Sequence, residues 1–141
     1  MQITKDFKLV ELVGPEIYEY MGDHSAQFLN PKALRWVQAA RDKFGSCTIN
    51  DWSWGGRFKE SGHRLWNTKT GAKASQHKFG NAFDLKFKSV DPDEVRHEIL
   101  KNQEYWMNLG LTRIEANEYA PTWMHGDSKE TGLSYIQVIK P

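Results

Sequence analysis

The sequence predicts an α+β domain whose sheet is mostly antiparallel. Helical patterns dominate the first 45 residues, strand patterns dominate the second half, and one further helical pattern separates the strands. Helices and strands that segregate along the chain in this way are typical of α+β folds rather than of repeated βαβ units. A chain of 141 residues can bury one core, and we predict a single domain over residues 1–141.

The first third of the chain is predicted to be helical. Residues 7–22 have helical spacing that Gly14-Pro15 interrupts, so they predict two short helices. Residues 30–45 predict a longer helix with Asn30 as its N-cap and Gly45 just past its end. The predicted buried stripe of this helix comprises Leu34, Val37, Ala40 and Phe44.

Two predicted strands enclose a long irregular segment in the middle of the chain. Residues 46–51 predict a short strand. Residues 81–87 alternate in polarity, so that Asp84 projects from the face opposite the apolar one. Residues 51–74 are rich in Gly, Ser, Trp and basic residues and have no period. Long irregular segments in compact domains are frequently functional.

The last third predicts one helix followed by three strands. Asp91 is the expected N-cap of a helix over residues 91–102. Residues 111–115 and 122–127 are predicted to pair as a hairpin, and residues 133–139 are predicted to form the final strand.

Composition excludes several classes of partner. A net charge of +1 provides no basic surface of the kind that nucleic-acid binding requires, so we expect no nucleic-acid partner. No apolar run approaches the about 20 residues of a membrane span, and the N-terminus lacks a signal-peptide pattern. The single cysteine, Cys47, excludes an intrachain disulfide and predicts a small core residue on a strand. We expect a monomer that is made in the cytoplasm.

The segment SQHKFGNAFD, residues 75–84, places His77 and Asp84 seven positions apart. A helix would separate them by roughly 10 Å along its axis and a strand by about 23 Å. Two ligands of one metal need donor atoms about 3–3.5 Å apart. A shared metal therefore requires a chain reversal, which Gly80 permits because glycine accepts positive φ. Ser75 is expected to support this loop through hydrogen bonds.

Two of the five histidines lie near a candidate carboxylate. His77, Asp84 and His125 have the composition of a catalytic zinc site, in which three protein ligands leave a fourth position open. The same residue types are also frequent as buried structural side chains, so both interpretations stay open. His24 lies in a polar loop, and His97 lies between Arg96 and Glu98. Both histidines are predicted to be solvated surface residues.

Metal-assisted hydrolysis also needs a general base and a cation. Glu115 is the candidate base, because the predicted hairpin places it near Trp123 and one diagonal step from His125. Arg64 is the candidate cation, since it lies in the irregular segment that leads into the His77 motif. The alternatives are Glu118, Asp127 and His63 for the base and Arg57 for the cation.

Three motifs resemble the zinc-dependent D-alanyl-D-alanine carboxypeptidase family of metallopeptidases, which includes phage endolysins that cut the peptidoglycan stem peptide. Residues 75–84 fit its S-x-H-x-x-G-x-A-x-D pattern at every position. Residues 61–64, SGHR, resemble its S-G-x-R segment, and TWMHGD, residues 122–127, resembles its W-x-H segment. The motifs together span about half of the chain, and FKLVELV and CTINDW are also similar to segments of short, phage-encoded members.

The resemblance implies the small α+β fold shared by these peptidases and the hedgehog signalling domain, with a central antiparallel sheet and helices packed on one side. It implies zinc held by His77, Asp84 and His125, and an arginine, Arg64, that contacts the substrate. We therefore expect a zinc metallopeptidase that hydrolyses an amide bond of the peptidoglycan stem peptide, as a D-Ala-D-Ala carboxypeptidase or an endolysin-type endopeptidase. Such an enzyme would act at the cell wall after release from the cell.

One position departs from the family pattern. Many members carry E-x-x-H, with the catalytic glutamate three residues before the last histidine, where this chain has Thr122. Glu115 is therefore assigned from the predicted hairpin and not from a matched motif. The alternative function is a non-catalytic, zinc-containing cell-wall-binding or virion module, because hedgehog relatives keep their metal on this fold and act as binding modules. A structural domain without metal is a third hypothesis.

Overall fold

Four α-helices and a five-stranded sheet make up the fold, as described by a computed structural model of residues 1–141. The helices are α1 Pro15–Met21, α2 Pro31–Phe44, α3 Pro92–Lys101 and α4 Gln103–Asn108. The strands are β1 Cys47–Thr48, β2 Ala82–Phe87, β3 Arg113–Glu115, β4 Met124–Asp127 and β5 Gln137–Ile139. Short 3₁₀ turns cover Leu9–Glu11, Gly22–Phe28, Trp52–Trp54 and Gln76–Phe79. None of the helices has both the length and the apolar character that crossing a bilayer requires.

The sheet has the order β1-β2-β4-β3-β5 and is mixed. The first four strands in this order pair antiparallel, as predicted, whereas β5 runs parallel to β3. The mostly antiparallel sheet that the sequence predicts therefore has one parallel pair, at this edge. The reason is the connection after β4: Asp127 pairs with Arg113 at the start of β3, and Gln137 begins β5 beside that same residue.

One face of the sheet carries the hydrophobic core. Phe83 of β2 pairs with Gly126 of β4, which pairs in turn with Ile114 of β3. The indole of Trp36 lies so close to Gly126 that a Cβ there would come within 2.8 Å of it. Helices α2, α3 and α4 all contribute to the same buried cluster, whose helical members are Ala33, Trp36, Val37, Ala40, Val95, Ile99 and Trp106.

Helix α2 begins and ends where the sequence predicts. The Asn30 side chain accepts a hydrogen bond of 3.0 Å from the backbone N–H of Lys32, and Gly45 follows the helix with φ of 89°. The buried face of α2 differs from the predicted stripe, because Trp36 packs against Gly126. Ala33 and Trp36 are fully buried in addition to Val37 and Ala40, whereas Leu34 and Phe44 are half-buried at the edge of the core.

Several other elements differ from their predicted form. The first predicted helix is only the 3₁₀ turn Leu9–Glu11, and α4 was not predicted. The strands are shorter than expected, β1 most of all. Cys47 does lie on β1, where it is half-buried and where burial raises the pKa of its thiol to about 12.

Candidate metal centre

The face of the sheet opposite the core carries two of the candidate ligands. Asp84 and His125 are direct partners in the antiparallel register of β2 and β4. Because side chains alternate between the two faces of a strand, this pair projects away from its apolar neighbours Phe83 and Gly126. The alternating polarity of residues 81–87 predicts that Asp84 lies on the face opposite the apolar side chains, and the structure confirms this.

A tight chain reversal brings the third candidate ligand to the same place. His77 lies in the 3₁₀ turn Gln76–Phe79, which ends at Gly80 in the left-handed conformation with φ of 69°. A Cβ at Gly80 would lie 1.8 Å from the carbonyl oxygen of Phe28, so only glycine fits. Ser75 supports the turn, since its hydroxyl accepts a 3.3 Å hydrogen bond from the N–H of His77.

The three ligand atoms converge to within bonding distance of a single ion. Asp84 Oδ1 lies 2.9 Å from His125 Nδ1 and 3.3 Å from His77 Nε2, and the two nitrogens are 3.3 Å apart. These separations agree with those expected for ligands bound to one metal at about 2 Å. All three side chains are buried, and the cluster could hold a metal ion.

Hydrogen bonds around the cluster engage one nitrogen of each imidazole and leave the nitrogen that faces the cluster to act as a metal ligand. His77 Nδ1 donates to the carbonyl of Gly62 at 2.9 Å, which leaves Nε2 as the lone-pair donor. His125 Nε2 donates to Asp127 Oδ2 at 3.1 Å, so Nδ1 is the nitrogen that can bind a metal through its lone pair. Arg113 in turn holds the Asp127 carboxylate through two hydrogen bonds of 2.9 Å. Metal-bound histidines in proteins are oriented by outer hydrogen bonds of this kind.

The electrostatics of the cluster favour a positive charge at its centre. Burial opposes ionisation of Asp84, but the neighbouring His77 and His125 lower the pKa of its carboxyl well below the usual range. Burial likewise opposes the charged form of His125, yet hydrogen bonds to Asp127 and Asp84 raise its pKa to about 10. Burial lowers the pKa of His77. In the metal-free protein at neutral pH, one proton on His125 therefore supplies the positive charge that a bound metal ion would replace.

Glu115 lies closer to the cluster than the sequence predicts. The register pairs Arg113 with Asp127 and Ile114 with Gly126, so the next position places Glu115 opposite His125 and not near Trp123. Glu115 Oε2 is 3.6 Å from His125 Nδ1, and the side chain is 16% exposed. Burial raises the pKa of this carboxyl, which makes it a better proton acceptor near neutral pH.

The two rival carboxylates occupy different environments. Glu118 is exposed and lies 3.5 Å from the ammonium group of Lys140, away from the cluster. Asp127 is buried, but His125 and Arg113 already use its two oxygens. Of the three carboxylates considered for the base, Glu115 is the one that combines proximity to the ligand atoms with the absence of a hydrogen-bonded partner.

The structure brings Arg64 to the cluster and leaves Arg57 outside it. Arg64 Nη2 donates to the outer oxygen of Asp84 at 3.4 Å, and its Nε donates to the carbonyl of Glu60 at 2.7 Å. Its backbone N–H also bonds to the carbonyl of His77 at 3.1 Å, which ties the SGHR segment to the ligand turn. Arg57 is exposed and stacks over Phe58, 5.2 Å from the ring centroid.

A half-buried lysine, Lys86, holds the other end of the SGHR segment in place. Lys86 Nζ donates to Ser61 Oγ and to the carbonyl of Ile49, both at 2.7 Å. The carbonyl of Ser61 accepts a 2.7 Å bond from the N–H of Asp84. Burial lowers the pKa of Lys86 to about 8, although the nearby Asp84 opposes this shift. Lys86 lies two positions after Asp84 on β2 and therefore on the same face of the sheet.

Arg96 is a second residue whose role the sequence did not reveal. It is only 4% exposed, although it lies on a helix among charged residues. Its guanidinium donates to the carbonyl of Glu115 at 2.8 Å and to that of Trp123 at 2.6 Å. It also bonds to Asn117 and Ala120 in the connecting loop. Arg96 therefore joins the end of the strand that carries Glu115 to the segment that leads into His125.

The arrangement has the parts that metal-assisted hydrolysis requires. Two imidazoles and one carboxylate suit a divalent transition metal. Glu115 then adds a proton acceptor beside His125, and Arg64 adds a cation beside Asp84. In comparisons with known proteins, no family model, no curated protein and no solved structure matches this chain.

Proposed function

We propose that this protein is a zinc-dependent metallopeptidase that hydrolyses an amide bond in the stem peptide of bacterial peptidoglycan. The observation that supports this proposal most strongly is the convergence of His77 Nε2, Asp84 Oδ1 and His125 Nδ1, with separations of 2.9–3.3 Å. A non-ligand carboxylate, Glu115, lies 3.6 Å from one of these atoms. The resemblance of residues 61–127 to the D-alanyl-D-alanine carboxypeptidase family indicates the substrate class.

His77, Asp84 and His125 would hold the zinc ion. Bound zinc would supply a Lewis acid that polarises the scissile carbonyl and activates a water molecule. Glu115 accepts a proton from the attacking water as the new C–O bond forms. It then donates this proton to the leaving amine as the C–N bond breaks, so that one water is consumed for each amide. Arg64 pairs with a substrate carboxylate or with the polarised carbonyl oxygen.

The supporting residues hold these groups in position. Arg96 fixes the backbone at Glu115, Asp127 orients His125, and the carbonyl of Gly62 orients His77. Rigid placement of this kind matters because catalytic groups lose much of their effect when they are displaced by about 1 Å. The peptidoglycan substrate lies outside the cytoplasm, so the protein would act at the cell wall after release from the cell.

The test is digestion of purified peptidoglycan by the zinc-loaded protein, with mass spectrometry of the soluble fragments. We expect new amino termini and a mass loss that identifies the bond, which is D-Ala-D-Ala, L-Ala-D-Glu or a cross-bridge amide. The Asp84→Ala variant and chelator-treated protein serve as inactive controls. Zinc-loaded protein that releases no fragment would contradict the proposal.

Thr122 favours a second candidate function, a zinc-containing module that binds the cell wall or belongs to a virion without cleaving peptide. This exposed residue stands where many family members carry their catalytic glutamate. Such a module would sediment with peptidoglycan sacculi and leave their amide bonds intact. Glu115→Gln would not change that sedimentation.

A further inference from the structure

A cavity of about 320 Å³ lies next to the candidate metal centre. It is lined by the first residues of α1 and by part of the irregular segment, and most of the lining residues are polar. Arg64 connects the two places, because its side chain lines the cavity while its guanidinium reaches the outer oxygen of Asp84 at 3.4 Å. A substrate held by Arg64 at the metal centre would therefore border on this cavity.

His63 lines the same cavity and has no hydrogen-bond partner on either ring nitrogen. The residue is only 6% exposed, and its ring stacks on Phe28 with centroids 5.2 Å apart. Nδ1 is completely enclosed without a partner. Buried polar atoms in native proteins are nearly always hydrogen-bonded, so an exception needs an explanation.

The enclosure of Nδ1 determines which ring nitrogen of His63 carries the proton. A proton on Nδ1 would be a buried donor without an acceptor, which is the rarer and more unfavourable case. The neutral ring therefore carries its proton on Nε2, the nitrogen that is not enclosed. Nε2 is therefore the N–H donor of His63, a residue that lines the cavity together with Lys59. The Glu60 carboxylate does not compete for this donor, because the hydroxyls of Thr68 and Thr70 bind it.

We propose that this cavity is a subsite for the peptide substrate, in which His63 donates a hydrogen bond from Nε2 to a carbonyl or carboxylate oxygen of the stem peptide. The inference rests on the proposed peptidase function and extends it to a specificity-determining residue. His63 occupies the position that the S-G-x-R pattern leaves open. A substrate oxygen would give Nε2, the ring nitrogen that is not enclosed, a direct hydrogen-bond partner.

The substitution His63→Phe tests the subsite, because it keeps a ring against Phe28 and removes both nitrogens. We expect KM for a synthetic stem peptide to rise roughly 3- to 10-fold, the usual effect of one lost hydrogen bond. The zinc content should not change. The melting temperature should stay equal or rise, since an unpartnered buried polar group has been removed. His63→Gln, which restores an N–H donor, should recover part of the lost affinity.

The controls separate this inference from the proposed function. His24→Phe changes an exposed histidine and should leave KM unaltered, and His63→Leu replaces the Phe variant if the latter does not fold. If the wild-type protein cleaves no stem peptide, the proposed function fails, and the subsite is tested by calorimetric binding of the same peptide to the zinc-loaded protein. A Phe variant with the wild-type KM or Kd, or a wild-type protein that binds no peptide, would overturn the subsite.

Discussion

Glu115 and His125 face each other across β3 and β4, with Glu115 Oε2 3.6 Å from His125 Nδ1. His125 also pairs with Asp84 on its other side, in the register of β2 and β4. Three adjacent strands therefore each contribute one side chain to the same face of the sheet. The imidazole of His125 lies between two carboxylates, those of Asp84 and Glu115. Only the Asp84 oxygen lies within 3.3 Å of both histidine nitrogens, which separates the role of a ligand from the role of a neighbouring base.

Replacing the neighbouring carboxylate tests its role. Glu115→Gln should reduce the hydrolysis rate by roughly 10²–10⁴, the usual scale for a lost general base. The fold and the zinc content should be unchanged, because glutamine has nearly the same volume and Glu115 is not a ligand. Turnover of peptidoglycan peptide and metal analysis measure the two effects. Glu118→Gln is the matched control and should have little effect, and near-wild-type turnover in Glu115→Gln would exclude Glu115 as the base.

Zinc binding should release one proton per ion at neutral pH. The pKa of His125 is raised to about 10 in the metal-free protein, so this ligand is protonated at pH 6–8 and must lose its proton when metal binds. The pKa values of His77 and Asp84 are instead lowered, by burial for His77 and by the neighbouring histidines for Asp84, which favours their deprotonated forms. The apparent affinity for zinc should therefore rise about tenfold per pH unit between pH 6 and 8. Competition with a chromophoric chelator measures this slope, and a flat profile would mean that His125 does not carry the proton.

Arg64→Lys keeps the positive charge but loses the planar fork that can hold two oxygens at once. We expect a large loss of turnover while the zinc content stays unchanged, because Arg64 contacts the outer oxygen of Asp84 and not the ligand oxygen. Arg57→Lys is the control, since Arg57 is exposed and lies outside the cluster. The opposite result for the two variants would show that the wrong arginine has been assigned.

Two glycine substitutions separate backbone strain from steric exclusion at the ligand turn. Gly80 and Gly132 have nearly equal φ values of 69° and 70°, but only Gly80 has a neighbour, the carbonyl oxygen of Phe28. Gly132→Ala should lower the free energy of unfolding by about 1 kcal/mol through strain alone. Gly80→Ala should lower it by at least about 1–3 kcal/mol more and should weaken zinc binding through displacement of His77. Chemical denaturation measures both, and equal effects would contradict the close approach.

The features that sequence analysis predicted correctly depend on local chemistry. Asn30 and Asp91 cap their helices through their own side chains. The alternation of β2 follows from its residue pattern, and the reversal at Gly80 follows from the conformation that only glycine adopts easily. The three ligands could be proposed because two of them lie in one short motif around that reversal.

The features that were wrong or absent depend on contacts between distant segments. The predicted hairpin register failed because residues 116–123 form a longer loop, in which Arg96 and not a neighbouring strand binds the carbonyls of Ala120 and Trp123. Helix α4 is stabilised by full burial of Trp106 in the core, which no local pattern indicated. Nothing in the local sequence of β5 shows that it pairs parallel to β3.

Stoichiometric restoration of activity is the sharpest test of zinc-dependent amide hydrolysis by this protein. The protein is stripped of metal, zinc is added back in steps, and new amino groups released from peptidoglycan are counted at each step. We expect amide cleavage to rise linearly and to stop rising at one zinc per chain. Asp84→Ala, which lacks the only carboxylate ligand, should bind no zinc at this site and cleave nothing. Protein that takes up one zinc per chain and still cleaves no peptidoglycan amide would rule out the peptidase function.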